Sequence, residues 1–370
     1  MKFAISRDVL IKPLNLVAGV VERRQTLPIL ANVQLVLEGK TLSLTGTDLE
    51  VELVGRVPVS ESADSVEGEI TVPAKKLVDI CKALPDGAEL NFQLDEQKLV
   101  IKSGRSRFQL STLSASDFPA VEQGAGGQRF TLKQGDLKRL IERTSFAMAQ
   151  QDVRYYLNGM LIELSNGRLR LVATDGHRLA MATFSSDVIA VDNQSQVILP
   201  RKGVIELSRL LMNEDETAEV VVGNNHIQVI TPDFTFTSKL IDGKFPDYER
   251  VLPRSSTKTV LGSRAGLKEA FARTAILSNE KYRGIRLTLS SGNIQIIANN
   301  PEQEEAEETV AVDYQGDGLE IGFNVSYLLD VLSALNGETV KFSLSDANSS
   351  ALIEESEQSD CQYVVMPMRL

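Results

Sequence analysis

Hydrophobic and polar positions along the 370-residue chain follow one order of elements three times over, at a spacing of about 125 residues. Each copy opens with a short strand and a helix, at Lys2 to Val21, Arg129 to Met148 and Thr259 to Ser278. Leu137, Leu140 and Ile141, and again Leu267, Ala270 and Phe271, fall at three- and four-residue intervals, as a helix with one buried stripe requires. Leu10, Leu14 and Val17 make such a stripe in the first copy, although Pro13 sits where it should strain a helix. A hairpin follows, turning at Glu38-Gly39, Asn166-Gly167 and Ser291-Gly292 between alternating runs such as Leu42-Ser43-Leu44. A second strand and helix come next, at Ile70 to Leu84, Ile198 to Met212 and Ile321 to Leu335. They lead into a second hairpin near Asp95-Glu96, Asn224-Asn225 and Ala347-Asn348. Each copy is therefore β-α-β-β twice over.

Two exits mark the joints between copies. Asp117-Phe118-Pro119 leads into a glycine-rich run, and Lys244-Phe245-Pro246 leads into Pro253 to Lys258. The chain divides into three similar α+β domains, 1–125, 126–254 and 255–370.

The apolar fraction of 42% and charged fraction of 24% suit a folded chain of several domains. Neither a signal peptide nor a run of apolar residues long enough to span a membrane is visible, so the expected address is the cytoplasm. Cys81 and Cys361 stand far apart and read as buried thiols, with no metal site and no cofactor implied. A net charge of -11 argues at first sight against nucleic acid. The distribution changes that reading. Lys12, Lys75, Lys76, Lys82, Arg139, Arg143, Arg201, Lys202, Arg209, Arg264, Lys268 and Arg273 lie on or beside five of the six helices, while acids crowd the loops and hairpins. An acidic chain can thus present a basic helical face.

Repeats with an unsatisfied end must cap themselves, polymerise or close. Here the ends are complementary. The third repeat carries Glu302-Gln303-Glu304-Glu305-Ala306-Glu307-Glu308, and the first carries Lys76 and the strand Ser103 to Leu110 with Arg105 and Arg107. Opposite charges at opposite ends favour head-to-tail pairing. Two copies so joined would set their helices inside and their sheets outside. Twelve helices of about 10 Å diameter make a circle roughly 120 Å around with an opening of about 30 Å, wide enough for duplex DNA with water to spare. Contacts across that gap, screened over about 8 Å, would be weak and blind to sequence.

Thr26-Leu27-Pro28-Ile29-Leu30, Ser43 to Glu50, Gln151 to Met160, Ala173 to Ala180, Asn299 to Glu308 and the terminus Tyr363 to Leu370 carry a resemblance to the β subunit of bacterial DNA polymerase III, the sliding-clamp family, along essentially the whole chain. The match is looser around Ser60 to Glu69 and Ser185 to Gln196. The resemblance implies a ring-shaped homodimer of the DNA clamp fold, a non-catalytic processivity factor of the holoenzyme. Its implied partners are duplex DNA, the polymerase III catalytic subunit, the clamp-loader complex, and other polymerases and repair proteins bearing clamp-binding peptides, with no membrane. It places DNA contacts on Arg24, Gln151, Tyr155, Tyr156, Arg201 and Lys202. It pairs Lys76, Ile80, Arg105, Arg107, Phe108 and Leu110 of one protomer with Ile276, Leu277, Glu304, Glu305, Glu307 and Glu308 of the other.

The terminus Val364-Val365-Met366-Pro367-Met368-Arg369-Leu370 is apolar beyond the alternation of a last strand and calls for packing. Methionines offer a deformable lining suited to several partners. The resemblance supplies the other walls of a partner-peptide pocket: Arg154, Leu157, Thr174, Gly176, His177, Arg178, Leu179, Pro246, Arg250, Val251, Asn324 and Tyr327.

Rival readings fail on residues. Thr174-Asp175-Gly176-His177-Arg178 sets a histidine beside a carboxylate, but only His226 remains as a second base anywhere in the chain. Glu38-Gly39-Lys40-Thr41 ends like a phosphate-binding loop, yet Gln34 occupies the position of its first glycine. None of the six helices reads as the recognition helix of a major-groove reader.

Overall fold

The computed structural model describes residues 1–21, 27–60, 65–121, 126–191, 193–254, 256–357 and 360–369. The element order repeats with high regularity. The first repeat runs β1 (Lys2–Ser6), α1 (Arg7–Val20), β2 (Asn32–Glu38), β3 (Thr41–Thr47), β4 (Val51–Pro58), then β5 (Gly68–Pro73), α2 (Ala74–Ala83), β6 (Glu89–Asp95), β7 (Lys98–Ser103) and β8 (Ser106–Ser111). The second runs β9 (Gln128–Lys133), α3 (Gln134–Glu142), β10 (Gly159–Ser165), β11 (Arg168–Thr174), β12 (Arg178–Ser185), then β13 (Ser195–Pro200), α4 (Arg201–Leu210), β14 (Thr217–Val222), β15 (His226–Ile230) and β16 (Phe234–Lys239). The third runs β17 (Lys258–Ser263), α5 (Arg264–Thr274), β18 (Gly284–Ser290), β19 (Asn293–Asn299), β20 (Glu305–Ala311), then β21 (Leu319–Asn324), α6 (Val325–Ala334), β22 (Thr339–Leu344), β23 (Ala351–Glu355) and β24 (Cys361–Val365). Every β-α-β-β half-repeat is thus followed by a third strand. The three first hairpins turn where expected, on Gly39, Gly167 and Gly292 at φ of 56°, 74° and 78°, a region open to glycine without steric cost.

The chain forms two compact units, residues Met1–Gly135 with Ile205–Leu240, and Asp136–Val204 with Ile241–Leu370. In the first, a four-stranded antiparallel sheet has the order β1-β6-β7-β8 and an eight-stranded sheet the order β5-β2-β3-β4-β16-β15-β14-β9. The second unit repeats the scheme with β20-β19-β18-β21 and β13-β10-β11-β12-β24-β23-β22-β17. The half-repeats exchange their opening strands: β1 pairs with β6 and β5 with β2, and β17 with β22 and β21 with β18. The exchange ties neighbouring halves together through backbone hydrogen bonds.

Helix stripes form as the spacing predicts. Leu10, Leu14 and Val17 of α1 are buried, as are Leu267, Ala270 and Phe271 of α5; on α2 the expected Leu77, Cys81 and Leu84 are buried, but Val78 takes the place of Ile80, which is half-buried. Pro13 lies inside α1 without ending it. A Cβ on Gly55 of β4 would stand 3.0 Å from the Pro13 Cβ, and one on Gly46 of β3 would stand 2.8 Å from Val17, so two glycines let this helix settle closely on its sheet. That packing offsets the lost backbone hydrogen bond.

Both cysteines are buried thiols, and burial pushes each up to about 11. Among the described residues no helix is long and apolar enough to cross a membrane.

Candidate functional site

In the second unit, β12 lies between β11 and β24, and the turn from β11 into β12 is built almost entirely from its own side chains. Asp175 Oδ1 accepts the backbone N–H groups of His177 (2.9 Å) and Arg178 (3.0 Å). Thr174 Oγ1 donates to the Arg178 carbonyl (2.6 Å) and accepts the Gly176 N–H (3.1 Å). Gly176 takes φ +91° here, and a Cβ on it would stand 2.9 Å from the Arg154 guanidinium. Arg154 is fixed in turn by a fork onto Asp152, Nε to Oδ1 at 3.0 Å and Nη2 to Oδ2 at 2.9 Å. The Arg154 side chain, with help from its backbone N–H, holds the Asp152 carboxyl down to about 2.

Arg178 is the pivot of the turn. Its guanidinium bonds Asp175 (3.0 Å), Asp330 of α6 (2.5 Å) and the Phe146 carbonyl (2.7 Å), and it stacks 4.5 Å from the centre of the Tyr327 ring. Only 11% of the side chain is exposed. The planar fork suits several acceptors at once, which a lysine would not satisfy. With Asp175 committed to the backbone and to Arg178, the His177 and Asp175 pair has no free carboxylate to orient an imidazole.

The chain's end completes the place. After β24 the Met366 N–H donates to the His177 carbonyl (2.9 Å) and the Met368 N–H to the Gly322 carbonyl of β21 (2.8 Å). The tail therefore crosses from the turn to a neighbouring sheet as a pinned strap. Beside it opens a cleft of about 190 Å³ lined by Arg154, Leu157, Thr174, Gly176, His177, Arg178, Leu179, Pro246, Asp247, Tyr248, Val251, Val364 and Met366. Leu157, Leu179, Tyr248 and Val364 belong at the same time to the buried core, so the floor is rigid and apolar. The Tyr248 hydroxyl accepts from Arg170 (2.8 Å) and donates to Glu163 (3.2 Å); burial, against the Arg170 charge, raises its pKa.

Eleven of the expected pocket residues line this cleft; Arg250 instead borders an adjoining polar cleft with Asp247 and Glu249. Asn324 caps α6 by accepting the Ser326 N–H (2.9 Å), and Tyr327 lies behind Arg178; neither lines the cleft. Val365 is buried in its strand, Pro367, Met368 and Arg369 follow the strap, and Leu370 lies outside the described residues. Asp247 and Tyr248 are wall residues that the sequence reading missed. Their signal was the Phe245-Pro246 exit immediately before them.

The segment joining α3 to β10 also carries candidate DNA contacts. Gln151 adopts φ 57°, Tyr155 is 58% exposed, and the Tyr155 and Tyr156 rings meet edge to face at 5.8 Å. Asn158 braces the segment by accepting the Asp152 N–H and donating to the Asp152 carbonyl. Arg201 opens α4 and donates to the Met148 carbonyl, and Lys202 follows it. Arg24 lies outside the described residues. Arg143, expected on a basic face, is instead buried, bonded to Asp360 (2.7 Å) and to the Cys361 sulfur (3.2 Å). Charge alone does not distinguish a solvated arginine from one consumed internally.

The two complementary ends are both sheet edges. β8, with Arg107 and Phe108 and with Arg105 just before it, closes one side of a four-stranded sheet, and β20, with Glu305, Glu307 and Glu308, closes one side of another. Ile276 is 76% exposed and Leu277 half-buried beside it, whereas Leu110 is already buried within its own unit. Glu308 is paired with Arg273 of its own chain, which lowers its pKa. Lys76 is exposed and Ile80 half-buried on α2, and Glu304 is bonded to Asn300. Among the described residues no group of His, Cys, Asp and Glu could hold a metal ion.

Comparison with known proteins covers the same ground. Models of the DNA polymerase III beta subunit match the N-terminal domain at residues 1–122, the central domain at 131–247 and the C-terminal domain at 249–369. The beta sliding clamp of Pseudomonas aeruginosa is 64% identical over all 370 residues of both chains, and that of Escherichia coli 53%. A crystal structure of the P. aeruginosa DNA polymerase III subunit beta superposes with a TM-score of 0.97 at 64% identity over all of each chain, and a structure of that clamp bound to griselimycin matches equally.

Proposed function

The chain belongs to the DNA polymerase III beta subunit family and is a DNA sliding clamp; from that premise we propose how its residues divide the work. Two copies of the three-domain chain pair head to tail, β8 of one along β20 of the other, with Ile276 and Leu277 covering Phe108 and the charges of Arg105, Arg107, Glu304, Glu305 and Glu307 fixing the orientation. The sheet edges offer unpaired backbone groups of the kind that add strand to strand. The closed ring surrounds duplex DNA in the cytoplasm, touching it weakly through Gln151, Tyr155, Tyr156, Arg201, Lys202 and Arg24. It performs no chemistry of its own and serves the polymerase III holoenzyme as its tether.

The cleft under the C-terminal strap receives short segments of the catalytic subunit, the clamp loader, and other polymerases and repair proteins. The observation that carries this is its floor: Leu157, Leu179 and Val364 are core residues reached from the surface, walled by Met366, the methionine that begins a pinned tail. An apolar anchor buried there contributes about 1.5 to 3 kcal/mol. Family-wide the implied partner segments carry a glutamine and bulky apolar residues.

Light scattering of an Ile276→Ala, Leu277→Ala variant tests the ring. Removing most of two apolar side chains at about 25 cal/mol per Å² takes away much of the association energy, and monomers are expected at micromolar concentration. A variant that stays dimeric on dilution would refute this interface.

A further inference from the structure

The duplication that builds the cleft of the second unit builds a counterpart in the first. Thr47 Oγ1 donates to the Val51 carbonyl (2.9 Å) and accepts the Leu49 N–H (3.1 Å), and Asp48 Oδ1 accepts the N–H groups of Glu50 (2.9 Å) and Val51 (2.7 Å). This is the Thr174–Arg178 turn bond for bond. β16 lies beside β4 as β24 lies beside β12, and where the pairing ends the Lys239 N–H donates to the Glu50 carbonyl (2.8 Å), matching Met366 to His177. The Phe118-Pro119 exit supplies a wall, as Phe245-Pro246 does in the second unit. Between them opens a cleft of about 400 Å³ lined in part by Thr47, Leu49, Pro119, Val121, Lys239 and Leu240.

The substitutions between the two clefts define its chemistry. Leu49 holds φ +78° at the position of Gly176, a conformation unfavourable for a bulky residue, and is 38% exposed. Lys239 replaces Met366 at the rim; it is exposed and makes no ion pair among the described residues. Glu52 takes the strand position of Leu179 without lining the cleft; it is 8% exposed and accepts the Val121 N–H (3.1 Å), fastening the wall to β4. The result is a cleft of mixed walls, aliphatic at Leu49, Val121 and Leu240 and polar at Thr47, Asn225 and His226, with Lys239 at its mouth.

We propose that this second cleft binds a short extended segment of a partner protein in which an acidic residue is flanked by aliphatic ones. The aliphatic side chains would cover Leu49, Val121 and Leu240, and the carboxylate would meet Lys239, a pairing that favours acidic over neutral segments. That the ligand is a peptide rests on the reading of the first cleft as a peptide site; the preference for an acid rests on Lys239 alone.

The test uses full-length protein with labelled leucine and valine methyl groups, titrated with acetyl-Ser-Leu-Asp-Leu-Ser-amide. Saturable shifts are expected at Leu49, Val121 and Leu240, with affinity about tenfold lower for the asparagine analogue and for the peptide on Lys239→Glu. Shifts confined to Leu157, Leu179, Val251 and Val364, shifts at neither set, equal affinity for the asparagine analogue, or the same saturation by acetate alone would each overturn the proposal. A polymerase-derived peptide serves as control for the first cleft: its failure there would remove that reading, while the second cleft is judged by its own methyl groups.

Discussion

Cutting the chain after Val365 probes the strap directly. The deletion removes Met366, which walls the cleft, together with the bonds from the Met366 N–H to the His177 carbonyl and from the Met368 N–H to Gly322. It leaves β24 paired to β12 through Val364 and Val365, and it leaves the floor residues Leu157, Leu179 and Val364 in the core. The fold should therefore survive with its melting temperature lowered by only a few degrees, since the two backbone bonds are worth about 1 kcal/mol each. Binding is affected far more. A leucine or phenylalanine anchor contributes about 1.5 to 3 kcal/mol when enclosed. With one wall gone and the His177 turn released, at least about half of that is lost, and imperfect enclosure of the neighbouring polar groups adds to it. A loss of about 1.4 kcal/mol is already tenfold in affinity. Half of the anchor is about 0.75 to 1.5 kcal/mol, so calorimetry of a polymerase-derived peptide against the truncated protein should show a loss of about four- to twelvefold or more. Unchanged affinity in a truncated protein that still sizes as the wild type would place the partner site elsewhere.

Two further outcomes follow from the electrostatics. The Asp152 carboxyl, held at about 2 by Arg154, titrates well below its ordinary 3.8; it stabilises the fold above pH 4, and that contribution fades as pH falls from about 4 to 2. Arg154→Ala should return it towards 3.8 by carboxyl NMR, and an unmoved titration would show that Arg154 is not the cause. Cys81 and Cys361, buried and raised to about 11, should resist a thiol reagent at pH 8 in the native protein and react fully in denaturant; rapid native labelling of either would contradict their burial.

The hairpins and helix stripes were legible because their causes are local: glycine at the turn, and apolar side chains at three and four residues. Of the third strands of the half-repeats, only β8 and the last, β24, were legible. β12, Arg178–Ser185, is buried on both faces through Leu179, Ala180, Met181 and Ala182 and shows no alternation, while β20 alternates but carries the acids that read as a loop. The exchange of β1 and β5 depends on pairing partners some 30 to 90 residues away, which no local window of sequence contains. Pro13 marked a break that Gly55 and Gly46, in other strands, remove. At the cleft the Thr174 turn and the methionine tail stood out in the sequence. Tyr248 did not, because its role comes from bonds to Arg170 and Glu163 on distant strands.

Retention by linkage is the central claim, and topology tests it more directly than affinity. Protein loaded on a nicked circular duplex should remain bound through gel filtration and through an increase in salt that abolishes binding to short duplexes. Cutting the circle once should release it, because the ring then slides off the ends. Equal loss from circular and linear DNA, or salt sensitivity identical on both, would contradict encirclement.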